Sequence, residues 1–497
     1  MNTRYVIAVC TLLACMPLWG QTEDVVRPGK EQKKVVRKQT RQPLNPQFKS
    51  EEFLADGFKF KTYDESHVEI AQDPSQPPKG RLTLPLSTVH NGKTYFVGRI
   101  AWKAFKGCEE LTEVVISEKV TQIHNEAFEG CKKLKVLKLG SSVDMFYFDA
   151  IKNCDSLTAP IYNSIIFVWM PRNYKGEYSI PNGVKVINSK AFYGCNWLTS
   201  INIPNSVQKI ENEAFKNCSS LTTLNIPNSV TSIREYAFEN CSSLSKIIFP
   251  CSVKYVGTGV FHCCNNLKDA IYNQEIIVLG PQETEHYDIP EGIKIIASGA
   301  FWESKVKTIQ LPSSLQEIGS MAFCRSLVTD IFIPKNVIKI SAMSFYGCKL
   351  RTIRVENGNP IYDSRNNCNA IIQTAENRLL VGTASTIIPS SIKEIGSLSF
   401  ESKSIEVLNI PEGVNRISWH SFAYSEIVNV TIPNSVTSIG GTDPFIGCKK
   451  LSSVSIPETL VDNLYKGIFR DCNSLTSVTV RCANGTTKNI PVRDDWK

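Results

Sequence analysis

The sequence predicts an α/β repeat solenoid, a right-handed superhelix of about fourteen turns of roughly 22–24 residues, mostly β with short helical or irregular segments. Three observations predict it. Residues 203–225 and 226–248 are consecutive copies of one unit, and Ile-Pro-Asn-Ser-Val at 203–207 returns at 226–230 and at 432–436. Cysteines recur at a fixed interval, at Cys195, Cys218, Cys241 and Cys264 and again at Cys108, Cys131 and Cys154. Leu-x-x-Leu-x-Ile segments alternate apolar and polar residues, the period of a half-buried strand. A unit that repeats in this way packs only on its neighbours, so the core lengthens with each copy. The 42% hydrophobic content suffices for such a core.

The chain begins with the pattern of an export signal. Arg4 precedes an apolar run from Tyr5 to Leu13, then the helix-breaking Pro17 and the small Gly20. The run is too short for a permanent membrane span, and no later stretch reaches the required length. Residues 1–20 therefore read as a signal peptide, which makes the protein exported: extracellular, at the cell surface or periplasmic. The alternative is a lipoprotein box, Leu12-Leu13-Ala14-Cys15, with a lipid anchor on Cys15. Met16-Pro17 and Leu18-Trp19 make a poor linker after an acylated cysteine and favour simple cleavage. Residues 21–46 hold seven Lys/Arg against three Asp/Glu, with Pro28, Pro43 and Pro46, and read as a disordered basic linker. Half of the net charge of +8 thus belongs to this tail, and Arg4 adds one more.

Residues 47–99 change to short alternating segments, Phe58-Lys59-Phe60, His67-Val68-Glu69-Ile70 and Leu82-Thr83-Leu84, with the hairpin dipeptide Asn91-Gly92. They predict a β-rich N-terminal cap over the open end of the core. The array spans 100–480 and is marked by Ala-Phe or a close equivalent, as at Ala104-Phe105, Ala191-Phe192, Ala300-Phe301 and Ser399-Phe400. Residues 481–497 form a C-terminal cap or tail. Three gaps, near 158–178, 272–287 and 356–385, are rich in strand formers flanked by turn residues and predict inserted β-hairpins projecting from one edge.

Seventeen cysteines in an exported chain suggest disulfides, but their spacing argues otherwise. Cys108, Cys131, Cys154, Cys195, Cys218, Cys241, Cys264, Cys348, Cys448 and Cys472 share one position, three residues after the Phe. Aligned residues of adjacent turns lie about 5 Å apart, so these thiols form a ladder of small buried fillers. Ser304 at the same position supports this, since a bridged column would leave its neighbour orphaned. Cys251, Cys263, Cys368 and Cys482 lie off the ladder.

The skeleton Ile-Pro-Asn-Ser-Val, Ala-Phe, Cys-x-x-Leu closely resembles the BspA-like leucine-rich repeats of secreted and surface proteins of Bacteroidetes and some mucosal protozoa. The likeness covers about 380 residues. It departs near Phe301, Phe400 and Phe422, where the cysteine is missing and units shorten. The resemblance implies adhesion to host matrix proteins or other cells, and a fold alone is a weak warrant for that.

Catalysis requires converging acids, bases or nucleophiles, and the six histidines share no repeat position. His262-Cys263-Cys264 looks like a metal cluster in isolation, yet Cys264 belongs to the ladder and no second ligand pair stands nearby. No enzyme activity, metal or cofactor is expected. The polar residues between the buried Leu and Ile of each strand make a hydroxyl- and amide-rich face: Ser200, Asn202, Thr223, Asn225, Thr308 and Gln310, with Lys246 and Arg354 as isolated charges and Phe332 as a lone aromatic. That face lacks the stacking platforms of nucleic-acid binders. Trp169, Arg172 and Tyr174 in the first gap are the bulky amphipathic types enriched at interfaces. The sequence therefore predicts a non-catalytic exported protein that binds an extracellular protein or glycan, with a periplasmic or envelope assembly factor as the alternative.

Overall fold

In the computed structural model, residues 48–496 are described except 342, 406, 441, 442, 465 and 466. The expected signal peptide, Cys15 and the expected basic linker lie outside the described residues. The fold is a single unit, Ser50–Lys497.

Each regular turn contains two short parallel strands joined by a corner. On one wall lie the Leu-x-x-Leu-x-Ile segments, such as Thr223–Asn225 paired with Lys246–Ile248. On the other lie two-residue strands in register, with Ile187, Ile210, Ile233 and Val256 aligned in a column. Proline sets the turn between the walls: in Ile-Pro-Asn-Ser-Val the valine N–H closes on the proline carbonyl, at 3.0 Å for both Val207 and Val230.

The corner carries the Ala-Phe and the cysteine, and there the expected helical component is corrected. Among the described residues only short 3-10 segments occur, Phe148–Ile151, Arg365–Asn367, Glu458–Asn463 and Asp494–Trp496. The reason lies in the backbone. The residue before Ala-Phe and the residue before the cysteine are both left-handed, as at Lys190 (φ 60°) and Gly194 (φ 72°), or Glu213 (φ 55°) and Asn217 (φ 65°). A left-handed residue stops a helix within one turn, and two in succession leave no room for a second. Each non-glycine residue held there costs on the order of 1 kcal/mol. The corners offset that by bonding to the next turn: Lys190 N–H donates to the Asn212 carbonyl at 3.0 Å, Phe192 to Ala214 at 2.7 Å and Gly194 to Lys216 at 2.8 Å.

The core is a stack. Phe192, Phe215 and Phe238 are fully buried with ring centroids 4.8 and 5.0 Å apart. The ladder cysteines are buried and free, and they act as more than fillers. Most of the thiols donate to the phenylalanine carbonyl of the turn before, Cys218 to Phe192 at 3.1 Å, Cys241 to Phe215 at 3.3 Å and Cys264 to Phe238 at 3.1 Å, whereas Cys195, which follows a shortened turn, reaches the Pro171 carbonyl at 3.8 Å. Burial pushes the Cys195 thiol up to about 12. Ser304 keeps the bond, donating to the Pro281 carbonyl at 3.2 Å.

The solenoid has about 16 turns rather than fourteen, because the gaps in the period are turns themselves. Ile161–Tyr162 pairs antiparallel with Ile166–Trp169, which in turn pairs in parallel with Val186–Ile187. Ile271–Tyr272, Ile276–Leu279 and Ile295–Ile296 repeat the arrangement. The second arm of each hairpin is thus a wall strand, and the hairpin is folded into the stack instead of projecting from it. One asparagine organises each case. Asn163, Asn273 and Asn359 each donate two side-chain bonds to carbonyls of the preceding turn and accept two backbone N–H bonds from the residues that follow.

These turns also lose their corner. Residues 211–222 connect the two walls in a regular turn, whereas 170–175 and 280–285 suffice after Trp169 and Leu279. Met170, Gly280 and Gly382 take the backbone place of the phenylalanine, donating to Ala191, Ala300 and Ser399 at 2.7–2.8 Å. The next phenylalanine fills the space, and a Cβ on Gly280 or Gly382 would overlap the ring of Phe301 or Phe400.

At the N-terminal end, antiparallel strands Glu52–Ala55, Phe58–Thr62 and His67–Gln72 lead to Lys93–Ile100, which starts the second wall. Gly80–Thr83 already belongs to the first wall, paired with Leu111–Val115. At the other end Ser477–Arg481 folds back on Thr487–Pro491, and the fully buried Trp496 accepts a bond from Phe469 N–H at 2.8 Å.

Candidate functional site

The strand residues singled out from the sequence do not gather in one place. Asn202, Thr223, Asn225, Lys246, Thr308, Gln310 and Arg354 are exposed and Ser200 half-buried. The first wall, however, is divided into separate sheets, at the shortened turns and also between Leu198–Asn202 and Thr223–Asn225. Ser200 and Asn202 lie on Leu198–Asn202, and Thr223 pairs with Lys246 on the next sheet. Thr308, Gln310 and Arg354 belong to another, ordered His286–Asp288, Thr308–Gln310, Asp330–Ile333 and Thr352–Val355. Two concave sites interrupt the walls, and both sit at shortened turns.

The first is a cleft of about 570 Å³ at the first shortened turn. With the corner missing from 170–175, the corners on either side do not close up. Phe148, Lys152 and Asn153 line one side, Lys190 and Tyr193 the other, and Trp169 and Arg172 lie between. The Lys190 ammonium is 4.1 Å from the Phe148 ring centroid, and the Arg172 guanidinium 5.6 Å from that of Tyr193. Phe148 is 52% exposed. Aromatic rings dressed by cations at the mouth of a cleft are suited to amphipathic ligands. Trp169 and Arg172 thus share one site. Tyr174 stays apart: its hydroxyl donates to the Glu177 carbonyl at 2.7 Å and its ring meets Tyr178 edge-on at 5.5 Å.

The second is a groove of about 1300 Å³ beside strand Thr352–Val355, walled by residues 356–369. Phe332 and Arg354, each isolated in the sequence, are direct cross-strand partners there. They are one repeat apart, so aligning the turns would have placed them together. The insertion adds Asn357, Asn366 and Asn367, the last two in the left-handed conformation. No sequence signal beyond the asparagine density marked these three.

His262 and Cys263 form a further cluster. His262 Nδ1 lies 3.4 Å from Glu239 Oε1 and 3.5 Å from Cys263 Sγ, and its ring meets Trp302 at a tilt, with centroids 4.2 Å apart. Burial opposes the imidazolium, but hydrogen bonds with Cys263 and Glu239 outweigh it and raise the pKa to about 10. The Cys263 sulfur also lies 3.7 Å from Nε2, so the thiol touches both ring nitrogens while Glu239 reaches Nδ1 alone. Among the described residues no group of three or more His, Cys, Asp or Glu side chains is placed to hold a metal.

Stacked two-wall turns, a phenylalanine spine and a cysteine ladder define a leucine-rich repeat solenoid. More narrowly, the model of the BspA type leucine-rich repeat region matches residues 97–168, 174–283, 279–370 and 382–490, and the chain belongs to that family. No curated protein matches the chain. Among solved structures, it is similar to a leucine-rich repeat protein of Bacteroides ovatus, at 23% identity over 86% of this chain and 99% of that one, TM-score 0.32. It is also similar to a leucine-rich cell surface protein of Faecalibacterium prausnitzii, at 20% identity over 90% and 96%, TM-score 0.27. A leucine-rich repeat protein of T. pallidum matches at 28% identity over 44% of this chain and 92% of that one, TM-score 0.30. Among the described residues no helix is long and apolar enough to cross a membrane.

Proposed function

We propose that this chain is a non-catalytic, exported binding protein that engages an extracellular protein or glycan, with the cleft at the first shortened turn as its principal contact. The observation that carries this reading is the exposure of cation-dressed aromatics around a space that a regular corner would have filled. A solenoid needs no such gap for stability, and the burial of its own Phe and Trp would be worth about 1.5–3 kcal/mol each. Family membership agrees with a surface-binding role. The signal-peptide pattern of residues 1–20 supports export.

The test is solid-phase binding of the purified chain to panels of host matrix proteins and surface glycans. Trp169→Ala and Arg172→Ala are expected to weaken the leading interaction at least roughly tenfold, the range of interface hot spots; Arg172→Ala should leave the melting temperature unchanged, and Trp169→Ala, whose half-buried ring packs against the core, should lower it without unfolding the chain. Binding that survives both substitutions would rule out the cleft as the contact.

A further inference from the structure

Along much of the first wall and its borders, cations of one turn are answered by acids of the turn before: Lys138 by Glu113 at 2.9 Å, Lys307 by Glu285 at 2.6 Å and Lys450 by Glu426 at 3.3 Å. The third shortened turn breaks that pattern. Strand Thr352–Val355 ends its sheet, and Arg351 and Arg354 border the groove with no carboxylate at ion-pair distance among the described residues. Arg351 acts on Asp330 only at longer range, behind the bonds from Thr329 and Thr352 that chiefly lower that carboxyl. The groove's own acids are occupied. Asp363 receives the Arg365 guanidinium at 2.6 and 2.8 Å and the Thr374 hydroxyl at 2.8 Å, and Glu356 accepts the Lys335 N–H at 2.8 Å.

We infer that this groove binds a carboxylate-bearing saccharide chain. Arg351 and Arg354 supply the planar donors that suit a carboxylate. Asn357, Asn366 and Asn367 each offer a donor and an acceptor to sugar hydroxyls, and Phe332, 44% exposed beside Arg354, offers a flat apolar face to a ring. The strand edge argues against an acidic peptide. A peptide would dock by adding a strand, but the edge donors are already taken: Ile353 N–H donates to Asn369 Oδ1 at 2.7 Å and Val355 N–H to Ser364 Oγ at 3.0 Å. The volume of about 1300 Å³ exceeds the ~300–1,000 Å³ typical of a single small ligand, which favours a chain over a monosaccharide.

The inference rests on the binding role proposed above but uses a different site, so the two fail separately. Isothermal titration of the full chain with tetragalacturonate, and with its methyl ester as the uncharged control, is the direct test. The acid should bind, and the ester at least roughly tenfold more weakly. Arg354→Ala and the Arg351→Ala/Arg354→Ala pair should reduce acid binding by a similar factor, added salt should weaken it, and Phe332→Ala should weaken acid and ester alike. Trp169→Ala should leave this titration unchanged. Absence of binding at millimolar tetragalacturonate, equal affinity for acid and ester, or equal competition by an oligoglutamate peptide would each overturn the assignment. Phe332, Arg351 and Arg354 are exposed, and an unchanged melting temperature certifies their variants; circular dichroism certifies Trp169→Ala.

Discussion

The first and third shortened turns are built alike and finished differently. In both, an asparagine, Asn163 or Asn359, ties the hairpin to the turn before, and a residue without an aromatic side chain, Met170 or Gly382, stands where phenylalanine belongs. At the first, the flanking corners stay apart and leave the cleft that holds Trp169 and Arg172. At the third, the next corner reaches across. Lys403 occupies the ladder position of the cysteines, is only 6% exposed, and donates its ammonium to the Cys348 carbonyl on the far side of the gap. Glu401, 5% exposed, closes the space beside it. The second shortened turn is sealed by Trp302 lying on His262. Losing a corner opens a gap, and the residues one and three after the following phenylalanine decide whether it is filled. Only at the first turn does the gap between the flanking corners stay open.

That contrast can be broken at its strongest point by removing what both regions share. Phe215→Ala, in the uninterrupted spine, should cost about 3–5 kcal/mol through lost burial and a residual cavity, read from urea unfolding. Lys403→Ala should cost about 2 kcal/mol, because the Cys348 carbonyl loses its donor and the filled gap becomes a void. Arg172→Ala, at the open gap, should change stability by less than about 0.5 kcal/mol. Equal losses at Lys403 and Arg172 would erase the distinction between a filled and an open gap. Ser200→Ala, on the first wall, should be neutral within about 0.5 kcal/mol.

The filled gap should also respond to pH. Burial holds the Glu401 carboxyl above its usual value of 4.5, so the folded chain keeps that proton more tightly than the unfolded one. The contribution of this group is complete below pH 4.5 and declines as pH rises through the raised value. Glu401→Gln, which keeps the neutral form at every pH, should therefore gain stability relative to the parent as pH rises from 4.5 towards neutrality. Parallel melting curves for the two proteins across that range would show that Glu401 is not buried as described.

Much of this was legible in the sequence because the repeat is enforced by packing: the Ala-Phe spine, the cysteine column and the alternation of Leu and Ile each answer to one buried position. The shortened turns were not, because a turn that gives up its corner also gives up the Ala-Phe that marks it. Ile161-Tyr162-Asn163 and Ile271-Tyr272-Asn273 share a signature that would have revealed them. The left-handed corners leave a trace too, in Gly107, Gly130, Gly194, Asn217 and Asn240 immediately before the ladder cysteines. Lys403 could have been found by asking what fills the cysteine position after Phe400. The sites were harder to see, since a cleft arises from absent residues on one turn and ordinary ones on its neighbours. Trp169 and Arg172 were visible as candidates. Aligning the turns would have joined Phe332 to Arg354, but bringing the insertion asparagines beside them needed the fold.

The most direct test of the central claim fills the open gap in the way the protein fills the third. In that design Trp169 and Arg172 stay in place, and Tyr193 and Cys195, which stand one and three after Phe192 as Glu401 and Lys403 stand after Phe400, become Glu and Lys. Binding to the partner identified in the solid-phase panel is then compared with that of the parent. The account predicts that the filled variant stays folded by circular dichroism and loses binding at least roughly tenfold. A folded variant that binds as the parent does would contradict it.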